Sequence, residues 1–494
     1  MSKKNTPTKK ESIKENKKES GFKTYFKELG EAISKGDWSV KLSMLFMGAG
    51  YTAHKQIIKG ILLTLFEALS IVLFVIFAIP SLKDFGTLGT VKFEKILDPA
   101  TLQTTVNDYD NSFTILLGSI VSLFFVVVFI LFWIANIKAV YRLQLIDQLP
   151  ESINKPHINN FWEDIKTLVN DKFHITLLFL PTVGVILMNI IPILVLIAIA
   201  FTNYDQNHMP PNALFTWVGL ANFKSLFTNT VTSSFSYAFG KILGWTLLWA
   251  VLATVTTFFL GILLAMLINA KGVKFKKMWR TLFIVAIAVP QFVTLLLVRY
   301  FFDDSGIVNS VLGNLGIVDV LKNIGLVNEH LNYIPFLSSE HWAKFMIIMI
   351  NIWVGVPYQM LIATGVLMNV PTDQIEAAKI DGATNFQAFV HVTMPYVLFI
   401  QGPALITDFV KNINNFNVIY LLTNNSYITP DQAMANANGK EVDLLVTWLF
   451  RLTNEYYNYK MASVIGIIVF IICAVFTLIS FSKLMSGDRE EQFQ

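Results

Sequence analysis

In the run DFVKNINNF, Asp408, Lys411, Asn412 and Asn415 recur at i, i+3, i+4 and i+7, the spacing that places side chains on one face of a helix. In NIWVGVPYQM, Gly355 permits a ligand to approach the backbone closely, and Tyr358 follows one turn later. Gln291 comes directly after Pro290, at an expected kink. Amides and a carboxylate beside an aromatic ring suit a ligand that offers hydroxyls and a flat apolar face. A plainer alternative stays open. Asn and Asp in membrane helices also bond neighbouring helices, and Asp408 can pair with Lys411 one turn away.

These residues lie in apolar surroundings. The 494 residues are 54% hydrophobic and 15% charged, against roughly 25% charged in an average soluble domain. The apolar residues come in runs near the length that a helix needs to cross hydrocarbon. The expected fold is therefore an all-α integral membrane protein with eight transmembrane helices, at 58–79, 114–135, 175–201, 242–269, 281–302, 342–368, 397–422 and 461–484. Prolines at 181, 192, 290, 357 and 403 fall inside spans and imply kinks supported by neighbouring helices or a water-lined cavity. The expected organisation is a disordered lysine-rich tail over 1–22, interfacial helices over 23–57 and the first two spans with their loops over 58–172. A six-helix core over 173–486 and a short tail over 487–494 complete it.

Lysine and arginine set the orientation. The tail, the loop with Lys138, Arg142, Lys155, Lys166 and Lys172, and the loop with Lys271, Lys274, Lys276, Lys277 and Arg280 belong in the cytoplasm. The loops at 202–240 and 303–341 hold only Lys224 and Lys322 and are external, which puts both termini inside. The tail is expected to meet anionic lipid, and no nucleic-acid role is expected for it. Glu67 and Arg299 are further intramembrane charges to which the sequence assigns no role.

No catalytic constellation is found. The single cysteine, Cys473, cannot form a disulfide or thiolate metal site within one chain, and there is no metal cluster, nucleophile elbow or phosphate-binding Gly-rich loop. The chain is expected to hold no cofactor or metal and to be no enzyme.

Between the sixth and seventh expected spans, with two spans left before the C-terminus, lies a polar piece, VPTDQIEAAKIDGATNFQAFVHVTMPY, over 370–396. Pro371 and Asp373 suit a helix start, and Gly382 can end that helix in the left-handed conformation. Thr384 or Asn385 can cap a second helix, with Phe386, Phe389, Val390, Thr393 and Met394 on one face and Pro395 as its terminator. The result is a hairpin suited to docking a soluble partner.

This piece closely resembles the EAA loop of ATP-binding-cassette importer permeases. Glu376, Ala377, Ala378, Gly382, Val392 and Pro395 match its pattern, Asp381 sits beside the glycine, and Met394 replaces the usual leucine. The resemblance implies that the hairpin inserts into an ATPase subunit, with Glu376 as ionic anchor, Gly382 as the turn, and Phe386 and Phe389 as apolar plugs. FTNYDQNHMPPNALFTWVGLANFKSLF, GIVNSVLGNLGI, NNFNVIYLLTN and VDLLVTWLFRLT extend the similarity to maltose and maltodextrin permeases, in particular those of Gram-positive bacteria, over nearly everything after about residue 38.

By that resemblance Asn412, Asn415, Gly355 and Tyr358 keep the substrate-facing pattern and Val354 takes an apolar role. Gln291, Ile287 and Asp408 depart from it. The resemblance also implies a second permease subunit, a dimer of ATP-binding subunits that hold ATP and magnesium, an extracellular solute-binding lipoprotein, and a bacterial plasma-membrane location. The alternatives are a permease for a different oligosaccharide and an ion-coupled secondary sugar carrier.

Overall fold

The computed structural model describes residues 21–97, 104–150, 156–228, 234–270 and 272–485. The lysine-rich tail up to residue 20 and the tail at 487–494 lie outside them. Contacts divide the chain into two units, one of residues up to Ala198 with His208–Trp217, the other of Ile199–Asn207 with Val218 onward. Seven helices among the described residues are long and apolar enough to cross a membrane.

The first unit opens with α1 (Gly21–Lys35), which begins inside the segment expected to be disordered, then α2 (Trp38–Leu45) and α3 (Ala49–Ala53). Asp37 caps α2 by accepting from the Ser39 and Val40 amides. The spans α4 (Ile57–Lys83) and α5 (Ser112–Asp147) follow, then the short helix α6 (Phe161–Val169) and the third span, α7 (Phe173–Ile199). The 36 residues of α5 make it about 54 Å long, well beyond a hydrocarbon core of roughly 30 Å. α1 and α2 pack on its last turns, where Ala32, Val40, Ile137 and Val140 are buried together and Lys138 meets Glu28 at 2.8 Å. A two-stranded antiparallel ribbon, β1 (Lys95–Leu97) against β2 (Thr104–Val106), stands between α4 and α5. Strands of three residues are too short for an alternating pattern to reveal them in the sequence.

Glu67 acquires a structural role. The backbone between α2 and α3 leaves the helix at Met47, which is fully buried. The Glu67 carboxylate accepts from the Met47 amide at 2.8 Å, and Asn136 donates to the Met47 carbonyl at 3.0 Å. Non-helical backbone among apolar helices needs such partners. Glu67→Gln, which keeps an acceptor, is expected to be close to neutral. Glu67→Leu strands the buried amide and is expected to cost about 1–3 kcal/mol, measured as lowered thermal stability in detergent.

Three π-helical turns among the described residues share one cause. Phe74–Ala78, Ile186–Ile190 and Phe389–Thr393 each end two residues before a proline, at Pro80, Pro192 and Pro395. A proline has no amide hydrogen and its ring clashes with the carbonyl four residues back. The wider turn opens that position, and the helix continues. Pro395 therefore does not terminate the hairpin's second helix as expected; the chain runs through it into the next span.

In the second unit the central element is α8 (Phe235–Asn269). The expected span at 281–302 is instead two helices, α9 (Lys276–Ala288) and α10 (Gln291–Phe301), each too short to cross alone. Val289, held extended at ψ 128° by the proline after it, makes the break. The span α11 (Glu340–Leu367) leads to the hairpin helix α12 (Thr372–Ile380), followed by α13 (Met394–Ile413), α14 (Phe416–Thr423), α15 (Leu445–Asn454) and α16 (Tyr459–Met485).

α8 and α11 approach closely because a Cβ on Gly261 would lie 2.5 Å from Gln359 Cβ, and one on Gly355 would lie 2.9 Å from Thr257 Cγ2. Buried indoles fasten the breaks between elements. Trp249 donates to the Asn412 carbonyl at 3.1 Å, Trp245 to Val442 at 3.2 Å and Trp448 to Ala437 at 3.0 Å. The carbonyls at the end of a helix lack intrahelical partners, and Trp249 supplies one at the end of α13.

Candidate functional site

A cavity of about 400 Å³ lies within the second unit, between α8, α10, α11, α13 and the start of α14. All seven residues that the sequence singles out for ligand contact line it: Gln291, Val354, Gly355, Tyr358, Asp408, Asn412 and Asn415. The break at Pro290 starts α10 with Gln291 and turns that side chain into the cavity wall.

At four of these residues the detailed geometry bears on the alternatives that the sequence leaves open. Asp408 does not pair with Lys411. Its carboxylate accepts from Gln359 of α11 at 2.6 Å. The helical face assumed over 408–415 ends at Ile413, and Asn415 lies past the break, where its side chain accepts from the Val418 amide and caps α14. Asn412 donates to Thr254 of α8 at 3.0 Å, so it ties helices together while lining the cavity. Gly355 is small because α8 packs against it at Thr257.

Several lining residues escaped the sequence reading. Asn351, Gly355 and Gln359 recur at i, i+4 and i+8 along α11, a stripe that was visible in principle once Gly355 was chosen. Asn414, Phe416 and Asn417 were hidden by the break, since a helical period assigns them to other faces. Lys411 also lines the cavity.

The hairpin is the second candidate site. Pro371 precedes α12, and Gly382 takes φ +88° in the turn. The Thr384 hydroxyl accepts from the Gln387 amide at 3.2 Å and the Gln387 side chain accepts from the Thr384 amide at 2.8 Å, a reciprocal cap. Glu376, Ala377 and Asp381 are exposed on the surface, as is Pro395, and Ala378 is half-buried. The two phenylalanines part company. Phe386 is 74% exposed, whereas Phe389 packs against a core that includes Ala363 and Val397. The π turn at Phe389–Thr393 shifts the helical phase, so the face expected to carry both is divided. Ile380, 85% exposed, is the apolar companion of Phe386 at the tip.

Residues 257–485, which hold both sites, match the family described as "Binding-protein-dependent transport system inner membrane component". The chain is 32% identical over 454 residues to the maltodextrin transport system permease protein MalC of Streptococcus pneumoniae, covering 91% of this chain and 96% of that one. It is 32% identical over 456 residues to the maltodextrin permease protein MdxF of Bacillus subtilis, with the same coverage. This chain belongs to that permease family. The permease is an all-α multi-pass membrane protein, a transport subunit of an ABC importer and not an enzyme. It is also 32% identical to the galactooligosaccharides permease protein GanP of Bacillus subtilis, over 451 residues that cover 91% of this chain and 98% of that one.

Proposed function

We propose that the permease forms half of the translocation pathway for maltodextrin-type glucose oligomers in the bacterial plasma membrane. The observation that carries this reading is the convergence of Gln291, Tyr358, Asp408, Asn412 and Asn415 on one polar cavity beside an aromatic ring. Amides and a carboxylate hydrogen-bond hydroxyls, and the ring of Tyr358 offers a platform for the apolar face of a sugar. A second permease subunit completes the pathway, and a solute-binding lipoprotein delivers the sugar from outside. The hairpin around Gly382 docks on one subunit of an ATPase dimer that holds ATP and magnesium, while this chain binds no cofactor. Both termini face the cytoplasm, on the side of the lysine-rich loops.

Mechanically, ATP closes the ATPase dimer, and Glu376 and the Ile380 and Phe386 tip transmit that closure into the membrane. α12 connects directly to α11, and the hairpin's second helix continues through the π turn into α13, so the motion reaches the two helices that carry most of the cavity wall. Opening then alternates between the two sides of the membrane around the bound sugar.

A galacto-oligosaccharide is the second reading, because the relative named for that class is as similar as the maltodextrin ones. The test is ATP-dependent uptake by the complete importer in proteoliposomes over series of glucose and galactose oligomers. The proposal expects uptake of α-linked glucose oligomers and little of galactose oligomers; the reverse preference overturns it. Within the same assay Asn415→Ser, which keeps a capping acceptor, is expected to assemble normally and to lower uptake. Asn415→Ala loses the cap as well and is expected to reduce stability by about 1 kcal/mol, read from thermal unfolding.

A further inference from the structure

We infer that Lys411 is a direct ligand-contacting residue of the cavity, its ammonium donating to sugar hydroxyls while the carboxylate of Asp408 accepts from others. This rests on the glycan reading above. Lys411 lies within a membrane-spanning helix and lines the cavity. Among the described residues it forms no ion pair, and its Nζ stands 6.0 Å from the centroid of the Tyr358 ring.

A cation without a counter-ion at membrane depth is costly and is retained where it faces water or a ligand. Asp408, one turn earlier on α13, forms no ion pair with it; that carboxylate instead accepts from Gln359 at 2.6 Å. The wall thus carries one group that only donates and one that only accepts, among amides that do both. A sugar hydroxyl both donates and accepts. Neighbouring hydroxyls on one ring can therefore engage Lys411 and Asp408 together, with the flat face of the ring against Tyr358.

Chemical replacement of the charge tests this. In a Cys473→Ala chain, whose only thiol is then the one introduced, Lys411→Cys is assembled into the complete importer, and maltotriose uptake is measured before and after thiol modification. Uptake is expected to fall roughly tenfold or more, the loss of a charge-assisted hydrogen bond. Aminoethyl methanethiosulfonate, which rebuilds an ammonium on a chain of lysine-like length, is expected to restore most of it. The neutral methyl reagent and the anionic sulfonatoethyl reagent are expected to leave it low. Equal restoration by the neutral reagent, or wild-type uptake by the unmodified variant, overturns the inference.

Lys411→Arg provides a second check that does not depend on labelling. It is expected to assemble and to transport better than Lys411→Cys, and equal loss in both overturns the assignment. A wild-type importer that moves no glycan but does move another solute defeats the glycan reading instead. Normal wild-type glycan uptake with an unaffected Lys411→Cys defeats only the role of Lys411.

Discussion

Gly382→Val is expected to leave the permease inserted and assembled but to abolish sugar-stimulated ATP hydrolysis in the complete importer. Gly382 has φ +88°, and no atom lies within 4 Å of where its Cβ would be. The added Cβ therefore meets no neighbour outside the turn, and the main cost is backbone strain of about 1–3 kcal/mol. The turn relieves that strain by changing conformation, which re-aims α12 relative to the helix capped by Thr384. Glu376, Ile380 and Phe386 then cease to present one surface. Glu376→Lys reaches the same outcome by another route. The side chain is exposed and makes no ion pair among the described residues, so the fold does not depend on it. If Glu376 is the ionic anchor proposed above, reversing its sign costs several kcal/mol, equivalent to roughly a hundredfold or more in docking. Both variants are checked by ATPase activity and by co-purification of the ATPase. Normal coupling in both contradicts the assigned role of the hairpin.

The second large effect falls on stability. Gly261→Val places a Cβ 2.5 Å from Gln359 Cβ and 3.0 Å from the Gln359 carbonyl carbon, a backbone atom of α11. Neither side can yield without separating α8 from α11, where Ala253, Ile347 and Ile350 are buried in one core and Ile262 and Ala363 in another. Overpacking of this kind costs about 3 kcal/mol. Because Gln359 holds Asp408, the same variant is expected to disturb the cavity and to lower uptake in whatever protein still assembles. Gly240→Ala is the control on the same helix. It meets nothing within 4 Å and replaces a poor helix former, so it is expected to be neutral or slightly stabilising. Thermal unfolding in detergent separates the two.

Much of this was legible in the sequence because the bilayer imposes a simple rule. Unbroken apolar runs marked the spans, and polar residues inside them stood out against that background. Asp408, Asn412 and Asn415 were chosen on helical spacing, and all three do reach the cavity. Asn415 reaches it for a different reason, as the cap of α14 after a break that no period of 3.6 reveals. Pro290 and Pro395 show the same limit. Both were read as interruptions, and only Pro290 breaks its helix, because a π turn precedes Pro395 and makes room for its ring. Gly355 illustrates a third case, in which a small residue chosen for ligand approach is required by Thr257 on the neighbouring helix. Glu67 and Phe389 depend on tertiary partners, Met47 in one case and the core around Val397 in the other, and local sequence does not carry that information.

Everything proposed for transport depends on the cavity between α11 and α13 as the place where the sugar is held. The most direct test is a cryo-electron microscopy structure of the complete importer, arrested by a non-hydrolysing ATPase and supplied with receptor and maltotriose. Sugar density is expected against Tyr358, within hydrogen-bond distance of Asn412 and Asp408. Density confined to another surface of this chain, with that cavity filled by side chains of the companion subunit, contradicts it.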